Sequence, residues 1–210
     1  MIKKKRIIVL APHTDDGELG AGGSIARFIE EKDEVFYVAF STADQSLPKE
    51  FSLDTLAVEV KRATDVLGIN PNNLIIYDYE VRKLNFSRQD ILENMVYLKK
   101  SINPDLVLMP SLHDIHQDHA TIANEGLRAF KDRTILGYEL IWNNLTFDTT
   151  SFIKLEEKHI QLKCNALKEY KTQANREYIK EKFIFSHAHT RGLQIGCKYA
   201  EAFEVVRWIL

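Results

Sequence analysis

Apolar residues recur along the chain with two different periods, which predict strands and helices in turn. Short apolar runs rich in β-branched residues predict strands at 7–11, 35–40, 74–77, 106–109, 135–142 and 202–206. Apolar positions at helical spacing predict helices at about 20–32, 56–67, 91–98, 122–130 and 160–167. Because strand and helix alternate almost throughout, the pattern favours an α/β fold in which a mostly parallel sheet carries helices on both faces.

Residues 143–200 give the least clear pattern. The chain of 210 residues is long enough to bury one core, and no linker rich in Pro, Gly or Ser divides it. We therefore predict a single domain over 1–210, in which 143–200 form a smaller lobe or flap.

Charge and composition narrow the range of partners. The formal net charge of −2 provides no general attraction to nucleic acid or to anionic membranes. The basic stretch at 3–6 precedes an apolar run that ends at Pro12, which is too short for a membrane span or a secretory signal. Cys164 and Cys197 belong to no C-x-x-C pair, which favours reduced thiols. We expect a cytoplasmic protein that has no membrane span and no nucleic-acid partner. The composition is compatible with a homo-oligomer.

A first polar cluster follows the first predicted strand. It contains His13, Asp15 and Asp16 and precedes a glycine-rich helix start. Open α/β sheets bind ligands at the carboxyl ends of their strands, and a histidine with two carboxylates can hold a divalent metal and leave one carboxylate to move protons. Two other interpretations are a helix-capping turn and a phosphate-binding loop. The cap accounts for only one aspartate, and the acidic residues would repel phosphate.

A second cluster follows the fourth predicted strand, at the same edge of the sheet. His116 and His119 lie three residues apart at a predicted helix start, so they face the same way. A histidine pair at this spacing is by itself more often a helix cap at the protein surface than a pair of metal ligands. Together the two clusters predict one metal site over a shared crevice.

These residues resemble a known family. The segment 12–23, Pro-His-Thr-Asp-Asp-Gly-Glu-Leu-Gly-Ala-Gly-Gly, resembles the A-H-P-D-D-E-x-x-G-x-G-G signature of the PIG-L/LmbE-like deacetylases. The segment 114–119 resembles their second signature, H-P-D-H, and 191–203 is similar to a third, weaker pattern. The family consists mainly of zinc-dependent enzymes that remove an acetyl group from N-acetylglucosamine-type sugars and their conjugates. The resemblance implies a Rossmann-like α/β fold and an N-acetylated sugar or sugar conjugate as the substrate.

The resemblance also implies a ligand set. Carried onto the matching positions, it makes His13, Asp16 and His119 the metal ligands. The implied metal is Zn²⁺, although imidazole and carboxylate ligands also suit Fe²⁺.

The same resemblance assigns the catalytic roles. Asp15 becomes the general base, and His116 polarises the carbonyl and stabilises the charged intermediate while Asp118 holds its imidazole. The sequence departs from the family at Thr14, where the family has proline, and at Gly17, where it has glutamate. Gly17 removes a carboxylate that the next residue, a glutamate, could partly replace.

Substrate contacts are predicted at two arginines. Arg82 follows the third predicted strand at the same sheet edge, and its planar fork suits a phosphate or a sugar hydroxyl. Arg191 could reach the substrate from the late flap. The sequence leaves open a metal-dependent amidase or phosphoesterase acting on a non-sugar, a catalytically silent sugar-binding module, and a nucleotide-binding Rossmann protein.

Overall fold

The structure is a computed structural model that describes residues 4–47 and 51–209. Within these ranges, seven strands form one sheet in the order β3-β2-β1-β4-β5-β7-β6. The strands are Arg6–Ala11 (β1), Glu34–Ala39 (β2), Leu74–Ile76 (β3), Leu106–Pro110 (β4), Thr134–Tyr138 (β5), Ser151–Leu155 (β6) and Tyr199–Arg207 (β7). The α-helices are Asp16–Glu30 (α1), Thr55–Leu67 (α2), Arg88–Ile102 (α3), Gln117–Ala129 (α4), Glu157–Leu167 (α5) and Glu181–Leu193 (α6).

The first five strands run parallel, and β7 pairs antiparallel with both β5 and β6. The prediction of a mostly parallel sheet is therefore confirmed. β1 lies in the interior of the sheet, between β2 and β4, and both of its faces are apolar. Ile7 and Val9 pack into the core on the side of α1, α2, α5 and α6, whereas Ile8 and Leu10 pack on the side of α3 and α4. A continuous apolar run is typical of a strand buried on both faces.

Helix α1 approaches the sheet closely through its glycines. A Cβ atom on Gly20 would lie 2.3 Å from the ring of Tyr138, which is fully buried on β5. The Tyr138 hydroxyl donates to the carbonyl of Leu10 at 3.0 Å. The helix begins at Asp16, four residues before the predicted start, so the first polar cluster belongs to the turn and the first turn of α1.

The segment 143–200 contributes to the same sheet. Its β6 pairs with β7 at the sheet edge, α5 packs against α1 and α2, and α6 packs against β7. The sequence pattern missed β6 and α6. It also extended β5 to residue 142, whereas the strand ends at Tyr138 and the N–H groups of Asn143 and Asn144 turn back to the carbonyl of Leu140. In the described part of the chain, no helix combines the length and the apolar character that crossing a bilayer requires.

Candidate active site

The two polar clusters meet because β1 and β4 are adjacent parallel strands. His13 to Asp16 follow the carboxyl end of β1, and the segment 114–119 follows the carboxyl end of β4. The structure brings both imidazoles and a carboxylate to one point at this edge.

Three atoms of this centre form a nearly equilateral triangle. His13 Nδ1 lies 3.0 Å from Asp16 Oδ2, His119 Nε2 lies 3.2 Å from the same oxygen, and the two nitrogens are 3.3 Å apart. A zinc ion bonded at about 2.0–2.1 Å to ligands in tetrahedral geometry separates those ligands by about 3.3 Å. The donor set and its spacing therefore fit a divalent metal.

His116 adds a third imidazole. Ligand atoms of His13, His116 and His119 lie within 4.8 Å of one another. The Nδ1 atom of His116 accepts the backbone N–H of Asp118 at 3.2 Å, so its Nε2 atom carries the proton of the neutral ring and faces away from that bond. The Oδ2 atom of Asp16 lies 3.0 Å from His13 Nδ1 and 3.2 Å from His119 Nε2, and its carboxylate brings a negative charge to the centre.

The charges of the centre favour a cation. Burial opposes charge on His13, but Asp16 and a hydrogen bond to Asp118 outweigh it and raise the pKa of His13 to about 9. Burial likewise opposes charge on His119, yet Asp16 and Asp114 raise its pKa to about 10. The two imidazoles keep the pKa of Asp16 well below its usual range despite burial. Protons and metal ions compete for such a site, because the histidines must be neutral to bind a metal.

Two further carboxylates orient the imidazoles. Asp114 Oδ2 lies 2.8 Å from His119 Nδ1, and Asp118 Oδ2 lies 3.0 Å from His13 Nε2. This contact corrects the expectation for Asp118: its carboxylate holds His13, and only its backbone N–H reaches His116. The sequence interpretation assigned no role to Asp114, because its partner depends on how the turn folds.

Asp15 lies beside the triangle and lines the cavity above it. Burial, followed by the charge of Asp16, raises the pKa of Asp15 to about 6. Its side chain caps no N–H group of α1. The helix-cap interpretation therefore does not account for this residue, and a carboxyl group with a pKa near neutrality suits a proton acceptor.

Glu18 belongs to a buried network that the sequence did not reveal. Its carboxyl group is fully buried and contacts the hydroxyl groups of Tyr37 and Tyr170. Both hydroxyls also lie within hydrogen-bond distance of the Thr14 carbonyl, at 2.9 and 2.7 Å. Burial raises the pKa of Glu18 to about 8, so at neutral pH its carboxyl group is protonated and can donate to one phenol while it accepts from the other.

The same network explains why this chain has glycine at position 17, where the family signature has glutamate. A Cβ atom there would lie 2.5 Å from the ring of Tyr37, so this phenol occupies the space that a side chain at position 17 would need. Glu18 points into this interior network and does not line the cavity. It therefore does not replace the missing carboxylate at the cavity.

A cavity of about 290 Å³ opens over the centre. Arg82 lines it, as does Trp142, whose ring stacks on Tyr178 with the centroids 4.1 Å apart. Arg191 is not among the lining residues: its Nε donates to Glu139 at 2.9 Å beside a separate hollow of about 20 Å³. The loop after α5 adds lining residues that no sequence pattern indicated, namely Gln173, Arg176 and Tyr178.

Fold and site together define a class: a doubly wound α/β protein with a histidine–carboxylate centre at the carboxyl edge of its sheet. Residues 8–130, more than half of the chain, match the PIG-L family, described as GlcNAc-PI de-N-acetylase. The chain belongs to this family.

Two proteins that are named as deacetylases have sequences similar to this chain. The chain is 26% identical over 176 residues to the uncharacterized deacetylase YaiS of Escherichia coli K12, a match that covers 81% of this chain and 92% of that protein. It is also 26% identical over 133 residues to the diacetylchitobiose deacetylase of Thermococcus kodakarensis, covering 60% of this chain and 49% of the archaeal enzyme.

Solved structures share the fold at lower identity. The N,N'-diacetylchitobiose deacetylase of Pyrococcus horikoshii matches with a TM-score of 0.79 and 20% identity, over 95% of this chain and 83% of that one. GalB, the 4-carboxy-2-hydroxymuconate hydratase of Pseudomonas putida, matches with a TM-score of 0.78 and 19% identity, over 98% of each chain. Because a deacetylase and a hydratase share this fold, the reaction must be argued from the site.

Proposed function

We propose that this protein is a metal-dependent N-deacetylase that hydrolyses the acetamido group of an N-acetylated sugar or sugar conjugate. The observation that carries the proposal is the triangle of His13, Asp16 and His119 with Asp15 beside it under an open cavity. Membership of the de-N-acetylase family and similarity to sugar deacetylases support the acetamido sugar as substrate.

His13, Asp16 and His119 would hold the metal, for which zinc is our assignment and Fe²⁺ the main alternative. When bound, such an ion lowers the pKa of water and polarises the substrate carbonyl. With two imidazoles and one carboxylate, the protein supplies three ligands, which is the number typical of a catalytic zinc site.

The remaining residues move protons and stabilise charge. Asp15 accepts a proton as the oxygen of water adds to the acetyl carbon. His116 donates a hydrogen bond from Nε2 to the developing oxyanion, since its Nδ1 atom already accepts a backbone N–H. Burial lowers the pKa of His116, which favours this neutral donor form. The C–N bond then breaks, Asp15 returns the proton it accepted to the amine, and acetate and the free amine leave.

Metal content and product release test this proposal together. We expect the purified protein to bind one zinc ion and to release acetate from N-acetylglucosamine or diacetylchitobiose, with no phosphate release from a general phosphate ester. Asp15→Asn should keep the metal and lose activity by about 100-fold or more. His119→Ala should lose the metal.

His113→Ala is the matched control, because His113 is an exposed histidine of the same loop that does not line the cavity. Full metal occupancy in His119→Ala, or acetate release at the unmodified rate in Asp15→Asn, would contradict the assignment. Phosphate release without acetate release would instead identify a phosphoesterase.

A further inference from the structure

The segment 170–179 forms one wall of the cavity over the proposed metal centre, and we call it the strap. It lies between α5 and α6 and contains two short 3₁₀ turns. Gln173, Arg176 and Tyr178 of the strap line the cavity. None of these three residues takes part in the proposed chemistry, so the reaction itself leaves the strap without a function.

The side chain of Glu59 anchors the strap from outside the cavity. Glu59 lies on α2, is 3% exposed and is not among the residues that line the cavity. One of its carboxylate oxygens accepts the backbone N–H of Thr172 at 3.1 Å, and the other accepts the Thr172 hydroxyl at 2.7 Å. Within the described residues no cation pairs with this carboxylate, so Thr172 supplies the hydrogen bonds that its burial requires.

Two hydrogen bonds to one residue fix both the position and the rotation of the strap at Thr172. If Thr172 moved away, the Glu59 carboxylate would remain buried without these partners, and an unsatisfied buried charge is costly. A buried charged group adds little net stability compared with apolar packing, whereas loss of its partner is strongly destabilising. The contact between Glu59 and Thr172 is therefore suited to holding the strap in one position.

A second anchor joins the strap to the turn that follows β1. The hydroxyl of Tyr170, the first residue of the strap, lies 2.7 Å from the carbonyl oxygen of Thr14. Thr14 lies between His13 and Asp15 in the chain, and both of these residues line the cavity. The two anchors therefore fix the strap relative to the residues that carry the proposed chemistry.

The surface that the strap presents to the cavity suits a sugar ring. Gln173 offers an amide group, which donates and accepts hydrogen bonds as a sugar hydroxyl does. The Tyr178 ring stacks on Trp142 with the centroids 4.1 Å apart, and both residues line the cavity. A few polar groups among aromatic side chains are typical of sites that bind small molecules.

We infer that the strap is the part of the cavity that binds the sugar, and that Glu59 is the positioning residue that holds the strap in place. The inference rests on the proposed deacetylase function and deepens it, since it names the element that recognises the substrate beyond its acetamido group. Glu59 acts through Thr172 and does not line the cavity. Loss of this anchor should therefore weaken sugar binding more than it slows the chemical step.

The first test separates binding from chemistry, with N-acetylglucosamine and diacetylchitobiose as substrates. Glu59→Ala should raise KM about tenfold, because the sugar must then order the strap as it binds, while kcat changes less than about twofold. Glu59→Gln should keep the unmodified KM, since its amide oxygen accepts the Thr172 N–H and its NH2 group donates to the Thr172 hydroxyl. Thr172→Ala removes only the hydroxyl of a loop residue, and it should raise KM in the same way if Glu59→Ala fails to fold.

Thr64→Val is the control for an effect of stability alone. Thr64 is a buried residue of the same helix, its hydroxyl donates to the carbonyl of Val60 at 2.8 Å, and it does not line the cavity. This variant should lower the melting temperature and leave KM unchanged. An unchanged KM in Glu59→Ala, a loss of kcat as large as the rise in KM, or a KM in Glu59→Gln as high as that in Glu59→Ala would overturn the inference.

Tryptophan fluorescence reports the position of the strap without requiring turnover. The sequence contains two tryptophans, so in a Trp208→Phe background the emission comes from Trp142 alone. In that background Glu59→Ala should shift the emission to longer wavelength, because Tyr178 no longer covers the Trp142 ring and water reaches it. Glu59→Gln should leave the emission unchanged. An emission in Glu59→Ala identical to that of the background protein would overturn the anchoring role of Glu59.

Binding distinguishes failure of this inference from failure of the proposed function. Calorimetry with the metal-loaded protein measures the affinity for N-acetylglucosamine and for diacetylchitobiose directly. Sugar binding that weakens in Glu59→Ala, without acetate release from either sugar, supports the role of the strap and overturns the deacetylase. Acetate release with equal sugar affinity in Glu59→Ala and the unmodified protein supports the deacetylase and overturns the role of the strap. Absence of binding by both sugars also overturns the role of the strap.

Discussion

Two carboxylates that do not belong to the metal triangle select which nitrogen of each imidazole faces it. Asp114 binds Nδ1 of His119 and leaves Nε2 for the proposed metal, whereas Asp118 binds Nε2 of His13 and leaves Nδ1. The two histidines thus present opposite ring nitrogens to the same point. Such partners fix the tautomer and raise the basicity of the ligand.

Replacement of Asp118 by Asn should therefore weaken metal binding. We expect the affinity to fall about 10- to 100-fold, because an amide holds the His13 ring less firmly and does not increase its basicity. Competition with a chelator of known affinity measures the change. Asp148→Asn, an exposed aspartate away from the cavity, is the control, and equal affinities in the two variants would show that Asp118 has no such role.

The buried hydrogen bonds of Glu18 with Tyr37 and Tyr170 contribute to the stability of the fold. Tyr170→Phe should lower the free energy of unfolding by about 1–3 kcal/mol, since it leaves Glu18 and the Thr14 carbonyl with one hydroxyl fewer in a buried site. Urea unfolding measures this loss. Tyr97→Phe removes an exposed hydroxyl, on a residue 68% exposed, and should cost little; an equal cost in both variants would refute the argument.

At the scale of elements, the small residues of α1 decide how near its first turn lies to the sheet. Asp16 is the first residue of this helix, so the distance between the helix and the sheet sets the position of a proposed metal ligand. Gly20 contacts the Tyr138 ring so closely that a methyl group has no space there.

Gly20→Ala should therefore destabilise the protein by about 1–3 kcal/mol through overpacking, and it should also reduce metal affinity as α1 moves outward. Thermal unfolding and metal titration check the two effects. Gly196→Ala adds a methyl group into open space, although its φ of 69° adds backbone strain. A Gly20 variant that binds metal as tightly as the Gly196 variant would contradict this account.

A second contact between elements joins Glu139, directly after β5, to His187 and Arg191 of α6. Burial opposes the charge of Glu139, but hydrogen bonds from His187 and Arg191 outweigh it and lower its pKa below the usual 4.5. A carboxylate whose pKa is lower in the folded protein adds stability above its unfolded pKa. That contribution declines as the pH falls below about 4.5 toward the folded pKa.

The stability difference between the unmodified protein and Glu139→Gln should accordingly be largest near neutral pH and shrink as the pH falls below the unfolded value. Urea unfolding at a series of pH values measures this difference. Glu177→Gln, at an exposed salt bridge with Lys180, is the control and should show little difference at any pH. A Glu139 difference that grows on acidification would show that the sign is wrong.

At the scale of the whole molecule, the proposed metal centre connects two distant parts of the chain. The turn after β1 supplies His13 and Asp16, and the start of α4 supplies His119. An ion held by both turns binds the folded state only, so it stabilises the protein by mass action.

Removal of the metal should therefore lower the melting temperature. At a free metal concentration of 100 Kd the stabilisation is about 2.7 kcal/mol, and for a domain of this size that corresponds to a shift of about 5–10 °C. Calorimetry with and without chelator measures it. His119→Ala should melt at one temperature under both conditions, and an unchanged melt of the unmodified protein after confirmed metal loss would contradict the prediction.

Most elements of the central sheet were predictable because their signals are local. The apolar run at 7–11 and the helical spacing of the apolar residues in α2, α3 and α4 reflect burial that each segment requires by itself. The short β6 and α6 lack such a signal. β6 is an edge strand, and α6 buries only Ile184, Ala188 and Gly192, so their structure depends on the neighbours against which they pack.

The sequence by itself determined the α/β class, the convergence of two polar turns at one sheet edge, and the residue types of the proposed metal centre, because these follow from periodicity and from the residues after each strand. Only the tertiary structure decided that Asp118 holds His13, that Asp114 holds His119, that Tyr37 and Tyr170 enclose Glu18, and that Arg176 rather than Arg191 lines the cavity. These contacts join residues through the packing of the chain, and their geometry depends on the separation and rotation of whole elements. No pattern of neighbouring residues encodes those distances.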